Sequence, residues 1–302
     1  MNSLPITCVS QSTPGTIPQR QSLAHTDFAA HLHALGAVVR RQWIIFRRYP
    51  TWIVAMLIWP VIFPAAYIFS ARALAGPDGS GLAAFARVAG TADYLGFIAI
   101  GTTVWMWQNI VLWDVGTTLR EDQLRGTLES NWLSPTWRFS FLLGSSVNHL
   151  VTSLLFLVTS ALEFTFFFGV RYHGNLALIL LVLFASIPSI YGIGFAFASL
   201  VIAAKEASGF VMLARGLVMI FCGITFPVAV LPGWMQAFAR WLPPTYIIHS
   251  ARLAALDGGN LPALLPDLVS LLLFGVGWLA LGYLLFTWME RRARRTGAIG
   301  QY

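Results

Sequence analysis

The residues of this chain best placed to do chemistry lie in one charged segment, residues 120–129, between two long apolar runs. This segment holds three of the twelve acidic residues of the chain. Glu121, Arg125 and Glu129 recur at steps of four, so on a helix they form one solvated ridge with favourable pairing between successive turns. Such a ridge suits docking into a groove of a soluble protein. The alternative is a short helical hairpin without a partner.

The same segment also contains apolar and helix-breaking residues. Leu124 and Leu128 predict a small apolar ridge beside the charged one. Gly126 and Pro135 divide residues 118–136 into a two-part element that is larger than a simple turn between membrane spans requires. We therefore expect this element to present a binding surface, and the chemistry that it predicts is association rather than catalysis.

Signals for catalysis are weak elsewhere in the chain. A phosphate-binding loop needs a Gly-rich segment leading to Lys and then Ser or Thr, but the only lysine, Lys205, precedes Glu206. His31 and His33 are the closest histidine pair, and their position favours a membrane interface over a metal site. We therefore predict no catalytic, cofactor or metal site in this chain, and no nucleotide hydrolysis of its own.

Composition indicates a membrane protein, because 57% of the residues are hydrophobic and only 10% are charged. A membrane-spanning helix needs about 20 apolar residues. The alternating pattern of a membrane β-strand is not evident, so we predict an all-α, multi-pass protein. The six predicted spans are residues 51–70, 94–113, 139–170, 176–202, 209–231 and 267–289.

The distribution of arginine and lysine predicts the orientation of these spans. If both termini are cytoplasmic, thirteen of these residues flank inner span ends and five flank outer ends, as positively charged loops prefer. The net charge of +7 then follows from topology and from attraction to anionic membrane lipids. Nothing in the pattern predicts an exposed basic surface for nucleic acid.

The chain divides into a tail, an interfacial helix and a membrane domain. Residues 1–26 are rich in Ser, Thr, Gln and Pro and predict a flexible cytoplasmic tail. In residues 27–50 apolar residues recur at steps of three and four, which predicts an amphipathic helix in the cytoplasmic interface. The six-span domain follows at 51–292, and a second cytoplasmic tail at 293–302.

The segment at 232–257 is rich in aromatic residues and is broken by Pro243 and Pro244. This pattern predicts two short helices that dip into the outer leaflet and re-emerge. An ordinary interfacial loop with aromatic anchors is the alternative.

Polar residues inside the predicted spans are candidates for a transport pathway, because such groups are costly in a bilayer. They are Gln108, Asn109, Asn148, His149 and Glu163. Some of the aromatic residues on spans one, two and five are candidates for lining an amphipathic route.

Two motifs of this sequence resemble a known family. Residues 120–129, ending in Gly-Thr-Leu-Glu and followed by Leu133-Ser134-Pro135, are similar to the acidic stretch of permease subunits in the type-2 exporter class of ATP-binding-cassette (ABC) transporters. Residues 226–234 and 241–252 resemble the segment that follows span five in the same family. The resemblance covers about residues 28–292.

This resemblance implies a function and a set of partners. The chain would be a permease that pairs with a separate ATPase subunit, which binds ATP and magnesium, and with a second copy of itself in a prokaryotic inner membrane. It would export an amphipathic substrate such as a drug, a lipid or a lipid-linked glycan. The residues implied to form the coupling helix against the ATPase are Glu121, Arg125, Gly126, Thr127, Leu128 and Glu129. A secondary transporter and an integral-membrane lipid-handling protein are the alternatives.

Overall fold

The computed structural model describes residues 36, 40, 43–44, 47–48, 50–75, 80–128, 137–204 and 208–296. Every regular element in these residues is helical, in agreement with the predicted all-α class. The predicted tail at 1–26, most of the interfacial helix at 27–50 and the second half of the element at 118–136 lie outside the described residues. The α-helices are α1 (Pro50–Ala75), α2 (Ser80–Ala89), α3 (Tyr94–Leu124), α4 (Phe139–Phe168), α5 (Leu176–Ala204), α6 (Ser208–Phe221), α7 (Gly233–Ala239), α8 (Pro243–Ala255) and α9 (Leu261–Thr296).

Four helices of the described chain are long and apolar enough to cross a membrane, namely α3, α4, α5 and α9. The most apolar parts of α1 and α6 are shorter, at Leu57–Ala73 and Gly209–Phe221. The 14 residues of α6 extend over about 21 Å, less than the roughly 30 Å of a hydrocarbon core. A multi-pass membrane protein is therefore confirmed, while six complete spans remain a prediction.

Helix α3 lies at the centre of the bundle. In its most apolar window 78% of the residues are buried inside the protein, against 28% for α4 and 22% for α9. It packs against α5, α4 and α8, and its buried face includes Trp105 and Trp107. A movement of α3 would therefore displace its contacts with α4, α5 and α8.

The most extensive helix pair is α5 with α9. Their backbones approach closely, since a Cβ atom on Gly192 would lie 2.7 Å from the amide nitrogen of Leu279. The Ser189 hydroxyl donates to the Leu271 carbonyl across the same interface, at 2.7 Å. Small residues and such hydrogen bonds hold helices together where lipid removes the hydrophobic driving force.

The predicted two-helix segment at 232–257 is present as α7 and α8, and Pro243 occupies the first turn of α8. Proline fits there because the first helical amides need no intrahelical partner. Its insertion into the outer leaflet remains a prediction.

Other boundaries differ from the sequence-based expectation. The Gly- and Ala-rich linker between the first two spans contains helix α2, which the sequence analysis did not predict. Helix α6 ends at Phe221, ten residues before the predicted end of span five at 231, and Gly223 then turns the chain with φ at 69°. Helix α3 continues through the predicted span end at 113 to Leu124, so the charged segment begins as the last turns of a spanning helix.

Candidate coupling surface and transmembrane site

Two of the three members of the predicted charged ridge lie side by side at the Leu124 end of α3. Arg125 Nη2 lies 3.0 Å from Glu121 Oε2, and both side chains are more than half exposed, at 57% and 52%. The i,i+4 pairing that the spacing predicts is therefore confirmed for these two residues. Glu129, the third member of the ridge, lies outside the described residues.

The predicted apolar ridge of Leu124 and Leu128 is wrong. Leu124 is 57% exposed, whereas Leu128 is 3% exposed and belongs to the hydrophobic core. The cause is Gly126, which has φ at 70° and ends the regular turn of α3. A left-handed residue redirects the chain, and glycine adopts that conformation without a Cβ penalty. The two leucines therefore do not share one helix face.

The structure shows a role for two residues to which the sequence analysis assigned none. Asp122 and Gln123 are buried, at 6% and 5% exposure, directly beneath the exposed ridge. The Thr127 hydroxyl donates to Asp122 Oδ1 at 3.2 Å, across the turn at Gly126. Arg120 donates to Gln123 Oε1. These inward contacts fix the turn and leave the Glu121 and Arg125 side chains exposed.

The helix that follows this element is tied to the end of the chain. Arg138, immediately before α4, forms an ion pair with Glu290 near the end of α9. Both side chains are largely buried, at 26% and 16% exposure. Movement at the start of α4 is thereby linked to α9 and, through it, to α5.

Of the polar residues predicted for a pathway, Gln108, Asn109, Asn148 and Glu163 differ in burial, and their role in a pathway stays a prediction. Gln108 and Asn148 are buried, while Asn109 and Glu163 are partly buried. The structure records no hydrogen bond between any two of them among the described residues. Gln108 Oε1 and Glu163 Oε2 are buried oxygen atoms without a hydrogen-bond partner within the described part of the chain. Such atoms are costly in an apolar interior, which makes them candidates for contact with a polar group of a substrate.

A polar link between α3 and α4 was only half anticipated. His149 Nδ1 lies 3.2 Å from Asp114 Oδ2. His149 was a polar candidate in the sequence, but Asp114 was not considered. The signal was available, because each residue is the only titratable side chain in the neighbouring turns of its helix.

An aromatic cluster joins α1, α3 and α6, three of the helices predicted to line an amphipathic route. The rings of Phe63 and Trp105 stack at 4.6 Å, and the Arg215 guanidinium lies 4.7 Å from the Trp105 ring centre. Trp105 Nε1 also donates to the Arg215 carbonyl at 3.2 Å. A cation over an indole face is stabilised by the ring quadrupole. The cluster thus places an apolar surface beside a positive charge.

Comparison with known families identifies the domain that these features occupy. Residues 33–256 match the family model described as ABC-2 type transporter. The chain belongs to the ABC-2 type transporter family. A comparison with curated proteins gave no match.

Membership of the ABC-2 type transporter family confirms the resemblance seen in the sequence. Membrane domains of this family are permease components of ABC transporters, not the ATPase, and generally work with an ATPase subunit. The match includes the charged ridge of Glu121 and Arg125 and runs to the end of α8. Helix α9 follows the matched region.

Proposed function

We propose that this ABC-2 type permease is the membrane subunit of an exporter that moves an amphipathic substrate outward, driven by a separate ABC ATPase. The substrate class is a drug, a lipid or a lipid-linked glycan, and the working assembly has two copies of the chain in a prokaryotic inner membrane. One observation carries the proposal: an exposed ion-paired ridge, Glu121 and Arg125, ends the most buried spanning helix.

The geometry of α3 supports transmission of force from this ridge. Its 31 residues form one helix from Tyr94 to Leu124, about 46 Å long. A displacement at Glu121 therefore moves the middle of the bundle, where Trp105 and Gln108 lie, with no break in the helix. The ATPase would contact Glu121, Arg125, Gly126, Thr127 and Glu129, while Leu128, which is buried in the core, would hold the turn in place from inside.

Contacts to neighbouring helices distribute the same movement. The Asp114–His149 pair joins α3 to α4, and the Arg138–Glu290 pair joins the start of α4 to α9. Polar pairs of low exposure keep their geometry better than exposed pairs, because water competes with them less. A displacement of the ridge would thereby reach α3, α4 and α9.

The aromatic cluster supports an amphipathic substrate. Phe63 and Trp105 offer ring faces to an apolar chain, and Arg215 offers a positive charge to an anionic or polar group. A second copy of the chain would cover the exposed apolar side chains of α1 and α6, which include Trp59, Ile62 and Met212. Gln108, Asn109, Asn148 and Glu163 are the proposed polar contacts along this path.

The test exchanges the charges of the ridge and keeps their pairing. In the double variant Glu121→Arg with Arg125→Glu, an i,i+4 ion pair can still form, but each charge that a partner meets is reversed. We expect transport and stimulated ATP hydrolysis to fall about tenfold or more, because like charges then oppose each other across the contact. Both are measured after reconstitution with the ABC ATPase subunit.

The control is Arg171→Glu, at an exposed position between α4 and α5 at the opposite end of the bundle. It changes the charge by the same kind of substitution and should leave both activities unchanged. Membrane level and melting temperature are compared for all variants. Full activity of the exchanged pair, or transport that continues without ATP, would contradict the proposal.

A further inference from the structure

A cavity of about 420 Å³ lies near the Tyr94 end of α3. It is lined by residues from the end of α2, the start of α3, the segment 222–229, Arg240 after α7, α8 with the turn that follows it, and the start of α9. Its size falls within the roughly 300–1,000 Å³ of small-molecule sites. Two acids and three basic side chains contribute to its wall, namely Asp257, Asp267, Arg240, His249 and Arg252.

Three of these five charged groups are occupied by contacts inside the protein. The Arg252 guanidinium donates to the Phe97 carbonyl at 2.9 and 3.1 Å and to the Ile224 carbonyl at 2.8 Å. His249 Nδ1 lies 2.6 Å from Asp267 Oδ2. These contacts build the wall of the cavity and satisfy the groups that make them.

The other two charges have opposite sign and face the cavity without such contacts. In the part of the chain that the structure describes, neither the Arg240 guanidinium nor the Asp257 carboxylate has a hydrogen-bond or salt-bridge partner. Both residues are exposed, so a ligand can reach them. Burial raises the pKa of Asp257, and the nearby charge of Asp93 raises it further. The charges of His249 and Arg252 lower this pKa by less, so a further cation beside the carboxylate would still favour its charged form.

The remaining wall is mostly apolar and includes Phe97, Cys222, Val228 and Leu253, together with the hydroxyl-bearing Thr91, Thr245 and Tyr246. Within the described residues, the site thus combines a guanidinium and a carboxylate that have no hydrogen-bond partner with a largely apolar surface. A ligand that complements all three features carries a negative group, a positive group and an apolar substituent. A phosphate joined to an ammonium group, as in a zwitterionic phospholipid headgroup, has this combination.

The depth of the cavity along α3 agrees with a headgroup. Phe97 and Glu121 are 24 residues apart on one helix, or about 36 Å. That distance exceeds the roughly 30 Å hydrocarbon core and stays within the roughly 40–45 Å of a whole bilayer. If α3 crosses the membrane, the cavity lies at the headgroup level of the leaflet opposite the charged ridge.

We propose that this cavity binds a zwitterionic phosphate–ammonium headgroup, with Arg240 holding the phosphate and Asp257 holding the ammonium. The Arg252 contacts and the His249–Asp267 pair shape the wall between them. The site is separate from the path between helices α1, α3 and α6, and its occupancy does not depend on the exporter function. Two sources have this chemistry: a lipid of the surrounding leaflet and a free, soluble headgroup.

The experiment measures ligand binding to the full-length protein in detergent micelles by native mass spectrometry. The probes are dihexanoyl phosphatidylethanolamine, dihexanoyl phosphatidylglycerol, glycerophosphoethanolamine and inorganic phosphate. We expect the ethanolamine lipid to bind more tightly than the glycerol lipid, and glycerophosphoethanolamine to compete with it. Arg240→Gln should weaken binding of both lipids about tenfold, as loss of a hydrogen bond to a charged group does.

Asp257→Asn gives the more specific result. It should weaken binding of the ethanolamine lipid about tenfold. Binding of the glycerol lipid, which carries the phosphate but no ammonium, should be unchanged or improved. The matched control is Arg171→Gln, an exposed arginine that does not line the cavity. Circular dichroism and melting temperature establish that each variant is folded.

Other outcomes overturn the proposal. Equal competition by inorganic phosphate would indicate a plain anion site, and lipid binding that glycerophosphoethanolamine cannot displace would indicate recognition of acyl chains. An equal loss of binding in Arg171→Gln would place the site elsewhere. Because coupled ATP hydrolysis is measured separately, failure here leaves the test of the charged ridge unaffected.

Discussion

The two ends of α3 are held in opposite ways. At the Tyr94 end, Arg252 reaches 155 residues along the chain to bond the Phe97 carbonyl and also bonds the Ile224 carbonyl. At the Leu124 end, the recorded contacts of Glu121 and Arg125 join residues four apart. At one end, charged side chains therefore join distant segments, whereas at the other the exposed charged pair lies within a single turn above the buried Leu119 and Leu128.

This difference indicates which end of the bundle resists movement more strongly. Separating long-range contacts requires whole segments to part, whereas an exposed i,i+4 pair contributes only about 0.3–0.5 kcal/mol and holds nothing but its own turn. The exposed Glu121–Arg125 pair can thus be rearranged without separating helices, while Arg252 at the Tyr94 end keeps α3, α8 and the segment after α6 together. Substitutions at the Tyr94 end should mainly lower stability, and substitutions at the Leu124 end should mainly lower coupling to ATP hydrolysis.

The largest expected effect on stability is at Arg252. Replacing it with Met removes three recorded hydrogen bonds and leaves the Ile224 carbonyl without this donor, at a cost of roughly 3 kcal/mol. Arg252→Lys should recover only part of this stability, since an ammonium group cannot reproduce the planar set of N–H donors of a guanidinium. Arg240→Met is the control, because it loses no recorded hydrogen bond. The free energy of unfolding is measured in detergent with denaturant. Equal losses of stability in Arg252→Met and Arg240→Met would contradict the stabilising role of the Arg252 hydrogen bonds.

A second, smaller effect is expected at Gly101. A Cβ atom there would lie 2.0 Å from the Ile224 carbonyl oxygen and 2.6 Å from Arg252 Nη2. Gly101→Ala should therefore destabilise the protein by roughly 2 kcal/mol through overpacking. Gly216→Ala on α6 is the matched control, since nothing lies within 4 Å of its added Cβ. The control should be neutral or stabilising, because alanine is the better helix former. Similar melting temperatures for the two variants would show that the backbones at Gly101 and Ile224 are not closely packed.

The features that the sequence predicted correctly depend on local patterns. Lengths of apolar runs located α3, α4, α5 and α9, and a step of four predicted the Glu121–Arg125 pair. The proline pair at 243–244 predicted two short helices. In each case the determining residues lie within one element, so no knowledge of packing was needed.

The features that the sequence did not predict depend on turns or on distant residues. The ridge of Leu124 and Leu128 assumed an unbroken helix, and one residue with positive φ at Gly126 was enough to bury Leu128. Arg252 was matched to a family motif but its acceptors are backbone carbonyls, which carry no side-chain signal. Helix α2 escaped notice because an Ala- and Gly-rich segment fits a linker as well as a helix.

A modest pH effect is expected at the Tyr94 end from His249. The hydrogen bond with Asp267 raises the pKa of His249 above its usual 6.5, and its other charged neighbours are Arg252 and Asp257. A raised pKa stabilises the fold below about pH 6.5, and this contribution is lost as the pH rises through the folded-state pKa. The His249 side chain is 70% exposed, so the effect should stay below about 1 kcal/mol.

The pH effect is measured as the denaturant midpoint between about pH 5.5 and 8.5, the range in which histidine titrates. His249→Gln should flatten the difference between the two limits, because glutamine does not titrate. An unchanged pH profile in that variant would assign the effect to another group.

The smallest stability effect, and the sharpest contrast, is expected at Glu121. Glu121→Gln removes an exposed pair and should change the free energy of unfolding by only about 0.3 kcal/mol. If the Leu124 end is a docking surface, the same substitution lowers stimulated ATP hydrolysis several-fold, whereas Gly101→Ala lowers stability without lowering hydrolysis per folded molecule. Measuring both quantities for both variants separates the two ends. A proportional loss of stability and hydrolysis in each variant would mean that the ends are not specialised, because one global change in folding would then explain both.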